Sequence, residues 1–464
     1  MLTSVQLSIM SNRMDAVCRE MTNTIMLSAR SSVIGMARDF SCSIITEDDE
    51  VLAAAEGFPI HVWGSNLQTA SMRRNHPDFK EGDAYLHNDP YDGNSHAADH
   101  TILVPVFFEG EHIFSTAVKA HQADTGNSLP TTYMAQAADV YQEGSLIFPA
   151  VKVQENYQDI DDIVRMCRRR IRVPDQWYGD YLAAIGAARI GERSLKQFVE
   201  KYGKDTVRTF VREWFDYSER RCIDAIKKLP KGQLEANQSH DPVEPWAPEG
   251  IPVNVKIDID PDDALVTVDL RDNIDCIDAG LNLTECTATM AAVHGVLSCL
   301  GHDLPTNSGT LRRITVLLRE NCVVGIPSFP HSCSVATTNL TDIIINVTQS
   351  SFAELGDGQG YAHGNYCNSA AAGVASGKDW RRGGKAYINQ IFLMGGGGPA
   401  SAETDGMHYL FIPVTAGLLY RDSVEIDEQR FPILVKTMHL MTDSMGHGRR
   451  RGGQATEVVL GPRK

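Results

Sequence analysis

The sequence predicts an α+β protein with several folding regions, and three observations support this. A chain of 464 residues with 42% hydrophobic residues is long enough to form two or three regions with substantial cores. Its first 155 residues contain apolar strands joined by polar turns, a pattern typical of antiparallel sheets. Residues 177–229 show helical periodicity, interrupted near Gly203. We therefore predict an α/β region at 1–160, a helical segment at 161–240 and a β-rich region at 241–464.

The first 54 residues predict a helix followed by two strands. Apolar residues recur at helical spacing over residues 11–34, which indicates one amphipathic helix. Residues 38–45 form an expected strand, and a polar turn leads back into a second strand at 51–54. Asp39 lies where the helix gives way to the strand. It is either a surface carboxylate or a metal ligand, and spacing alone does not decide between them.

Residues 88–127 carry the strongest functional signal. The apolar run 102–108 predicts a strand buried on both faces, and residues 109–111 predict a hairpin loop of about three residues leading to a return strand. In a hairpin centred on Gly110, the numbers of paired residues add up to about 220. Asp99 therefore faces His121, and His96, three residues earlier, is close enough to point the same way.

Two imidazoles and a carboxylate at the open end of a buried hairpin predict a metal site. His96, Asp99 and His121 form a ligand set for a divalent ion of the Mn, Fe or Zn class, with positions left open for water or substrate. Asp124 and Asp89 are expected to orient a ligand imidazole or to take a proton. Glu143 is either exposed or lines a pocket shared with the metal.

The second half of the chain predicts further strands and helices. Three prolines between 244 and 252 precede the strictly alternating segment 253–260, which predicts a half-buried strand after a domain boundary. Residues 264–270 are expected to pair with it. Residues 287–300 predict a helix, whereas 314–319 and 342–347 are expected to be strands.

Composition and missing signals exclude several classes of protein. The net charge of −16 and a pI of about 5.4 argue against general binding to nucleic acids or anionic membranes. No apolar run approaches the roughly twenty residues of a membrane span, and no secretory signal is evident. Ten scattered cysteines without a CxxC pair favour a cytoplasmic protein with reduced thiols. The segment 373–379 is one residue too short for a phosphate-binding loop.

Several motifs together resemble the hydantoinase B/oxoprolinase family, and the resemblance extends over nearly the whole chain. It implies that His96, Asp99 and His121 are the metal ligands, and that Asp39 is a ligand or a near neighbour of the site. The motifs are Arg38–Ser41, His87–Glu111, His121–Gly126, Tyr141–Gly144 and the glycine-rich segment Asp443–Gly453.

The resemblance also implies an ATP-dependent reaction shared between subunits. ATP is expected to bind a hydantoinase A-type partner of actin-like fold, in some assemblies with a small third subunit. The partner phosphorylates the carbonyl oxygen of a small-molecule cyclic amide such as a hydantoin, oxoproline or lactam. The activated compound then passes to the metal of this subunit, where water attacks it and Glu143 or Asp124 relays the proton. Family members commonly continue beyond the point that matches Lys464, so any role of such a tail stays open.

Three other functions remain open at this stage. The same machinery serves ATP-dependent ketone carboxylases of the acetone or acetophenone type, in which the metal holds an enolate facing carbon dioxide. Two histidines and a carboxylate also occur in non-haem iron oxygenases, although the second histidine usually lies much farther along their chains. A scaffold that keeps only a structural ion is the non-enzymatic alternative.

Overall fold

The computed structural model describes residues 1–54, 57–301, 303–364, 373–410 and 412–463. It confirms the predicted α+β class, with helices and several antiparallel sheets along the chain. In this described part, no helix is both long enough and apolar enough to cross a membrane. The helices are α1 (Ser4–Ser28), α2 (Ser32–Gly35), α3 (Pro59–Val62), α4 (Ser65–Asn75), α5 (Val140–Glu143), α6 (Asp161–Arg170), α7 (Pro174–Tyr202), α8 (Lys204–Ile226), α9 (Glu285–Leu300), α10 (Ser308–Leu311), α11 (Leu340–Phe352) and α12 (Val424–Arg430).

The strands form one large sheet, a second smaller sheet and two hairpins. The large sheet has seven antiparallel strands in the order β2-β1-β5-β4-β3-β6-β7, and the second has the order β11-β10-β9-β8. Strands β12 and β13 form one hairpin, and β14 and β15 form the other. The strands are β1 (Phe40–Thr46), β2 (Val51–Ala53), β3 (Ala84–His87), β4 (Asp99–Phe108), β5 (Glu111–His121), β6 (Val151–Glu155), β7 (Gln158–Asp159), β8 (Gly232–His240), β9 (Ile251–Asp260), β10 (Leu265–Asp269), β11 (Ile314–Leu317), β12 (Gly373–Asp379), β13 (Lys385–Ile391), β14 (Ile433–Leu440) and β15 (Thr456–Pro462).

The β4–β5 hairpin has the predicted register at its functional end. Asp99 pairs with His121, and the residue numbers add up to 220 as far as Val106 and Phe114. The loop itself is tighter than predicted, because Glu109 (φ 52°) and Gly110 (φ 81°) form a two-residue turn with positive φ at both positions. A bulge after Val106, where β5 has one extra residue, compensates for the shorter loop and keeps the predicted pairing toward Asp99 and His121. The eight residues of β4 from Asp99 to Val106 are all buried, as expected for a central strand covered on both faces.

Two predicted elements differ from the structure. The first helix begins at Ser4 rather than near residue 11, because Thr3 and Gln6 form a capping box at its start. Residues 342–347, expected as a strand, lie inside helix α11. Most of that helix is buried, so it has no polar face that would reveal a helical period, and its run of isoleucines resembles a strand.

The β8–β11 sheet begins before the predicted boundary at residue 241. Strand β8 pairs with β9 along its whole length, from Gly232 opposite Ile259 to His240 opposite Ile251. Helix α11 packs against β8 and β9 and against α9. Most buried apolar residues of both larger sheets and of the long helices form one continuous hydrophobic core, whereas Tyr85, Leu103 and Ala117 of the large sheet belong to a separate smaller cluster. The division into three regions stays a prediction.

Candidate metal centre

The three predicted ligands meet where strands β4 and β5 end. Asp99 is the first residue of β4 and His121 is the last of β5, and they form the terminal pair of the hairpin. His96 precedes β4 in a turn in which the backbone N–H of Asp99 donates to the carbonyl oxygen of His96 at 3.1 Å. That turn directs the His96 side chain toward the pair. All three side chains are buried.

The ligand atoms of these residues form a small triangle. His96 Nε2 lies 2.9 Å from Asp99 Oδ1, and His121 Nδ1 lies 2.9 Å from the same oxygen. The two imidazole nitrogens are 3.2 Å apart. Two ligand atoms at a right angle, each about 2.1 Å from one ion, are about 3.0 Å apart. Both the spacing and the chemistry of the set therefore fit a divalent ion of the Mn, Fe or Zn class.

Contacts behind the triangle hold both imidazoles in place. His96 Nδ1 lies 2.8 Å from the backbone carbonyl oxygen of Ser334, which can only accept, so Nδ1 carries the proton and Nε2 keeps its lone pair. His121 Nε2 lies 3.1 Å from Thr132 Oγ1. Such outer contacts are what orient metal-binding histidines in proteins. Each ring therefore presents the nitrogen that a metal needs.

Asp99 uses its two oxygens for different purposes. Oδ1 belongs to the triangle, whereas Oδ2 accepts a hydrogen bond from Ser95 Oγ at 2.5 Å and lies 3.3 Å from His61 Nε2. Burial opposes the charged form, but the neighbouring His96 and His61 imidazoles hold the pKa of the Asp99 carboxyl well below its usual value. The residue is therefore set up to act as a carboxylate.

His61 is a site residue that the sequence analysis missed. It lies on the short helix α3, and its Nε2 is 3.6 Å from Asp39 Oδ1 as well as close to Asp99. Its Nδ1 lies 3.4 Å from Ser41 Oγ. The one available signal was its position between Ile60 and Val62, because a histidine buried among apolar residues needs polar partners.

Asp39 lies beside the triangle rather than within it. Its backbone carbonyl accepts from the N–H of His121 at 3.0 Å, so it extends the strand β1 next to β5. Its carboxyl faces the cavity and reaches His61. Burial and the nearby Asp99 raise the pKa of the Asp39 carboxyl well above its usual value. Its predicted role as a fourth ligand stays a prediction.

The cavity in front of the triangle is small and largely apolar. Its volume is about 30 Å³, enough for one or two water molecules. Asp39, His61 and the three candidate ligands form its polar floor. The rest of the lining comes from distant parts of the chain, namely Phe58, Ile60, Tyr133, Thr337, Thr338, Phe392, Ile412, Val414, Thr415 and Leu419.

Tyr133 is the second site residue that the sequence analysis missed. It lies in an irregular segment, and its ring stacks on that of His121, with centroids 5.4 Å apart and 21° between the planes. Burial, with Asp39 nearby, raises the pKa of the Tyr133 hydroxyl well above its usual value. No motif marks this position, since the contact arises only when residues 122–139 fold back over the hairpin end.

None of the three carboxylates predicted to be catalytic lines the cavity in the described part of the chain. Glu143 is buried and accepts from Ser332 Oγ at 2.7 Å. Asp124 forms an ion pair with Arg172 at 2.9 Å and also accepts from the backbone N–H of Arg172. Asp89 accepts from the N–H of Tyr91 at 2.9 Å within its own turn. Their catalytic roles stay predictions.

His100, although next to Asp99, takes no part in the site. Its side chain points to the opposite side of β4 and accepts a hydrogen bond from Trp177 Nε1 at 3.3 Å. Burial lowers the pKa of His100 to about 3, so it stays neutral between the sheet and helix α7.

The whole chain matches one family. The sequence model of the hydantoinase B/oxoprolinase family covers residues 3–462. The chain belongs to this family. The resemblance seen in its motifs is thereby confirmed, and the relatives of this chain include proteins named as caprolactamase, hydantoinase and 5-oxoprolinase.

Two sequence relatives and one solved structure illustrate what this chain is similar to. Caprolactamase subunit beta of Pseudomonas jessenii is 26% identical over 468 residues, which cover 99% of this chain and 78% of the relative. 5-Oxoprolinase 1 of Arabidopsis thaliana is 23% identical over 97% of this chain, which spans 36% of that protein. The nucleotide-free structure of acetone carboxylase has a TM-score of 0.88 at 17% identity, covering 99% of this chain and 62% of that one.

The fold itself is shared with solved structures. The crystal structure of ATP-dependent caprolactamase from Pseudomonas jessenii has a TM-score of 0.89 at 24% identity and covers 100% of this chain and 79% of that chain. One fold thus occurs in a lactam hydrolase and in a ketone carboxylase. The fold alone therefore identifies no activity.

Proposed function

We propose that this chain is the metal-dependent subunit of an ATP-dependent cyclic-amide hydrolase, receiving a phosphorylated intermediate from an actin-like, hydantoinase A-type partner. The observation that carries this proposal is the buried triangle of His96, Asp99 and His121 facing a cavity. The name of the caprolactamase relative, subunit beta, supports a partner subunit. A ketone carboxylase is the second candidate, supported by the fold shared with acetone carboxylase.

The candidate ligands would hold the ion with their cavity-facing atoms. A divalent ion there supplies a Lewis acid that lowers the pKa of water and polarises the acyl group. His96 Nε2, Asp99 Oδ1 and His121 Nδ1 already point to one place, so little reorganisation is needed on binding. Ser334 and Thr132 keep the two imidazoles in that orientation.

Asp39 and His61 are the groups we assign to proton transfer. Both line the cavity, and they lie within 3.6 Å of each other. A water molecule that attacks the acyl carbon must lose a proton, and the Asp39 carboxylate can accept it. His61 Nε2 lies 3.3 Å from the Asp99 carboxylate, so that nitrogen carries the ring proton, and it can donate to Asp39 once Asp39 is charged. Glu143 accepts a hydrogen bond from Ser332 Oγ, which in turn accepts one from the N–H of Ser334 at 3.3 Å. Glu143 therefore supports Ser334, whose carbonyl oxygen orients His96.

The walls of the cavity favour an uncharged substrate. The described lining residues include no lysine or arginine, while Asp99 adds negative charge. A carboxylate such as that of 5-oxoproline would therefore find no lysine or arginine partner there, and it would compete with the reacting acyl group for the divalent ion. The apolar residues Phe58, Phe392 and Val414 instead match the methylene groups of a simple lactam. A ring exceeds the present volume of about 30 Å³, so its entry requires the lining residues to move apart.

A substrate panel tests this proposal. The chain is co-purified with its actin-like partner and supplied with ATP, and the release of the ring-opened amino acid is measured. We expect kcat/KM for a neutral six- or seven-membered lactam to exceed that for 5-oxoproline by at least about tenfold, equivalent to 1.4 kcal/mol. A preference for 5-oxoproline would contradict the substrate class. ATP turnover that requires bicarbonate and a ketone would select the carboxylase instead.

A further inference from the structure

Tyr133 combines a fixed position with a free hydrogen-bond donor. Its side chain lines the cavity beside the candidate ligands, and its hydroxyl oxygen accepts a hydrogen bond from Gln390 Nε2 at 2.8 Å. Gln390 lies on β13 and is 1% exposed, so this contact is shielded from water. The phenol is therefore held between the stack on His121 and a buried amide.

The hydrogen bond from Gln390 leaves the proton of the phenol available. A tyrosine hydroxyl can accept and donate at once, and here Gln390 occupies the accepting role. Among the residues that the structure describes, no acceptor receives the hydroxyl proton of Tyr133. A buried donor without an acceptor is costly, and the adjoining space is the cavity in which the reaction is proposed to occur.

We propose that Tyr133 is a catalytic residue that donates a hydrogen bond to the ring nitrogen of the bound, phosphorylated cyclic amide. This inference rests on the proposed function. The proton stays on Tyr133 throughout, and no bond to it breaks. As water adds to the acyl carbon, the electron pair of the C=N bond moves onto the ring nitrogen, and a donor held beside that atom stabilises the growing negative charge without reorganising. Gln390 is the positioning residue that sets the direction of the donor.

A purely structural role for Tyr133 makes a different prediction. If the ring serves only to pack against His121, phenylalanine would serve as well, because it keeps the stack and loses only the oxygen. Tyr133→Phe therefore separates packing from donation. Tyr141 provides a matched control, since it is 72% exposed and is not part of the cavity lining.

The experiment compares Tyr133→Phe, Gln390→Leu and Tyr141→Phe with the unchanged chain, each co-purified with the partner subunit. Metal content, melting temperature, kcat and KM on a neutral lactam are measured for all four. For Tyr133→Phe we expect unchanged metal content and a KM within threefold of that of the unchanged chain. We expect kcat to be lower by about 10²-fold, which is the lower end of the effect of removing one preorganised hydrogen-bond donor from an active site. Gln390→Leu should lower kcat by a smaller factor, with a similar KM. Tyr141→Phe should match the unchanged chain in every measurement.

Other outcomes would overturn the inference in recognisable ways. If Tyr133→Phe keeps kcat within twofold, the hydroxyl is not catalytic even though the proposed function stands. If it loses the metal or melts much earlier, Tyr133 is structural. If the unchanged chain binds metal but opens no lactam on the panel, the proposed function fails and the inference fails with it.

Discussion

Replacing His96 with alanine should remove the metal and abolish turnover while leaving the fold intact. The variant loses one corner of a triangle whose edges are 2.9, 2.9 and 3.2 Å, and the two remaining ligands bind an ion far more weakly. Metal ions contribute several kcal/mol to reactions of this kind, so kcat should fall by at least about 10³-fold. Elemental analysis and lactam turnover of the assembled enzyme measure both effects.

The matched control for this variant is His112→Ala. His112 belongs to the same hairpin but lies near its turn, where its Nε2 is 3.0 Å from Ser115 Oγ. The His112→Ala variant should keep its full metal content and activity. ATP binding by the partner should be unaffected in both variants. Full metal content in the His96 variant would contradict the ligand assignment directly.

Gly64→Ala should cause the largest loss of stability among single small substitutions near the site. Gly64 has φ +118°, and an added Cβ would clash with Cys286 Sγ and lie 2.9 Å from the carbonyl oxygen of Gly93. Overpacking costs about 1–3 kcal/mol, and an unfavourable backbone conformation adds about 1–2 kcal/mol. We expect a total of about 3 kcal/mol or more, measured as a shift of the urea unfolding midpoint.

The variant Gly110→Ala separates the cost of the steric clash from the cost of the backbone conformation. Gly110 also has positive φ, at +81°, but an added Cβ there meets nothing within 4 Å. That variant should lose only about 1 kcal/mol. Adding Cys286→Ala to Gly64→Ala should recover part of the loss by relieving the sulfur contact. Equal effects of Gly64→Ala and Gly110→Ala would show that the clash plays no part. Gly64 follows helix α3, so its replacement should also disturb His61 and lower turnover.

The meeting of His96, Asp99 and His121 was predictable because it depends on local order in the chain. In a hairpin with a short loop, the residue numbers alone determine which residues of the two strands pair. A strand buried on both faces cannot easily change this register. Asp99 and His121 were therefore paired correctly even though the loop was shorter than expected. The bulge beyond Val106 compensated for the missing residue. Asp39 was placed near the site by the family resemblance, because spacing alone did not decide its role.

The remainder of the site could not be predicted because it comes from distant segments. Ser334, which orients His96, is 238 residues away from it in the sequence, and Gln390 is 257 residues from Tyr133. No periodicity or spacing connects such positions. Helix α11 shows a second limit, since a helix buried on nearly all sides has the same apolar run as a buried strand. The ion pair between Asp124 and Arg172, 48 residues apart, could not be predicted from spacing either.

Anomalous diffraction from crystals of the metal-loaded chain tests the central claim most directly. Data collected on both sides of the absorption edge of the ion identify the element and locate it. We predict one strong peak within bonding distance of His96 Nε2, Asp99 Oδ1 and His121 Nδ1, on the side that faces the cavity. A peak elsewhere, or no peak at this position in a chain shown by elemental analysis to carry metal, would contradict the account.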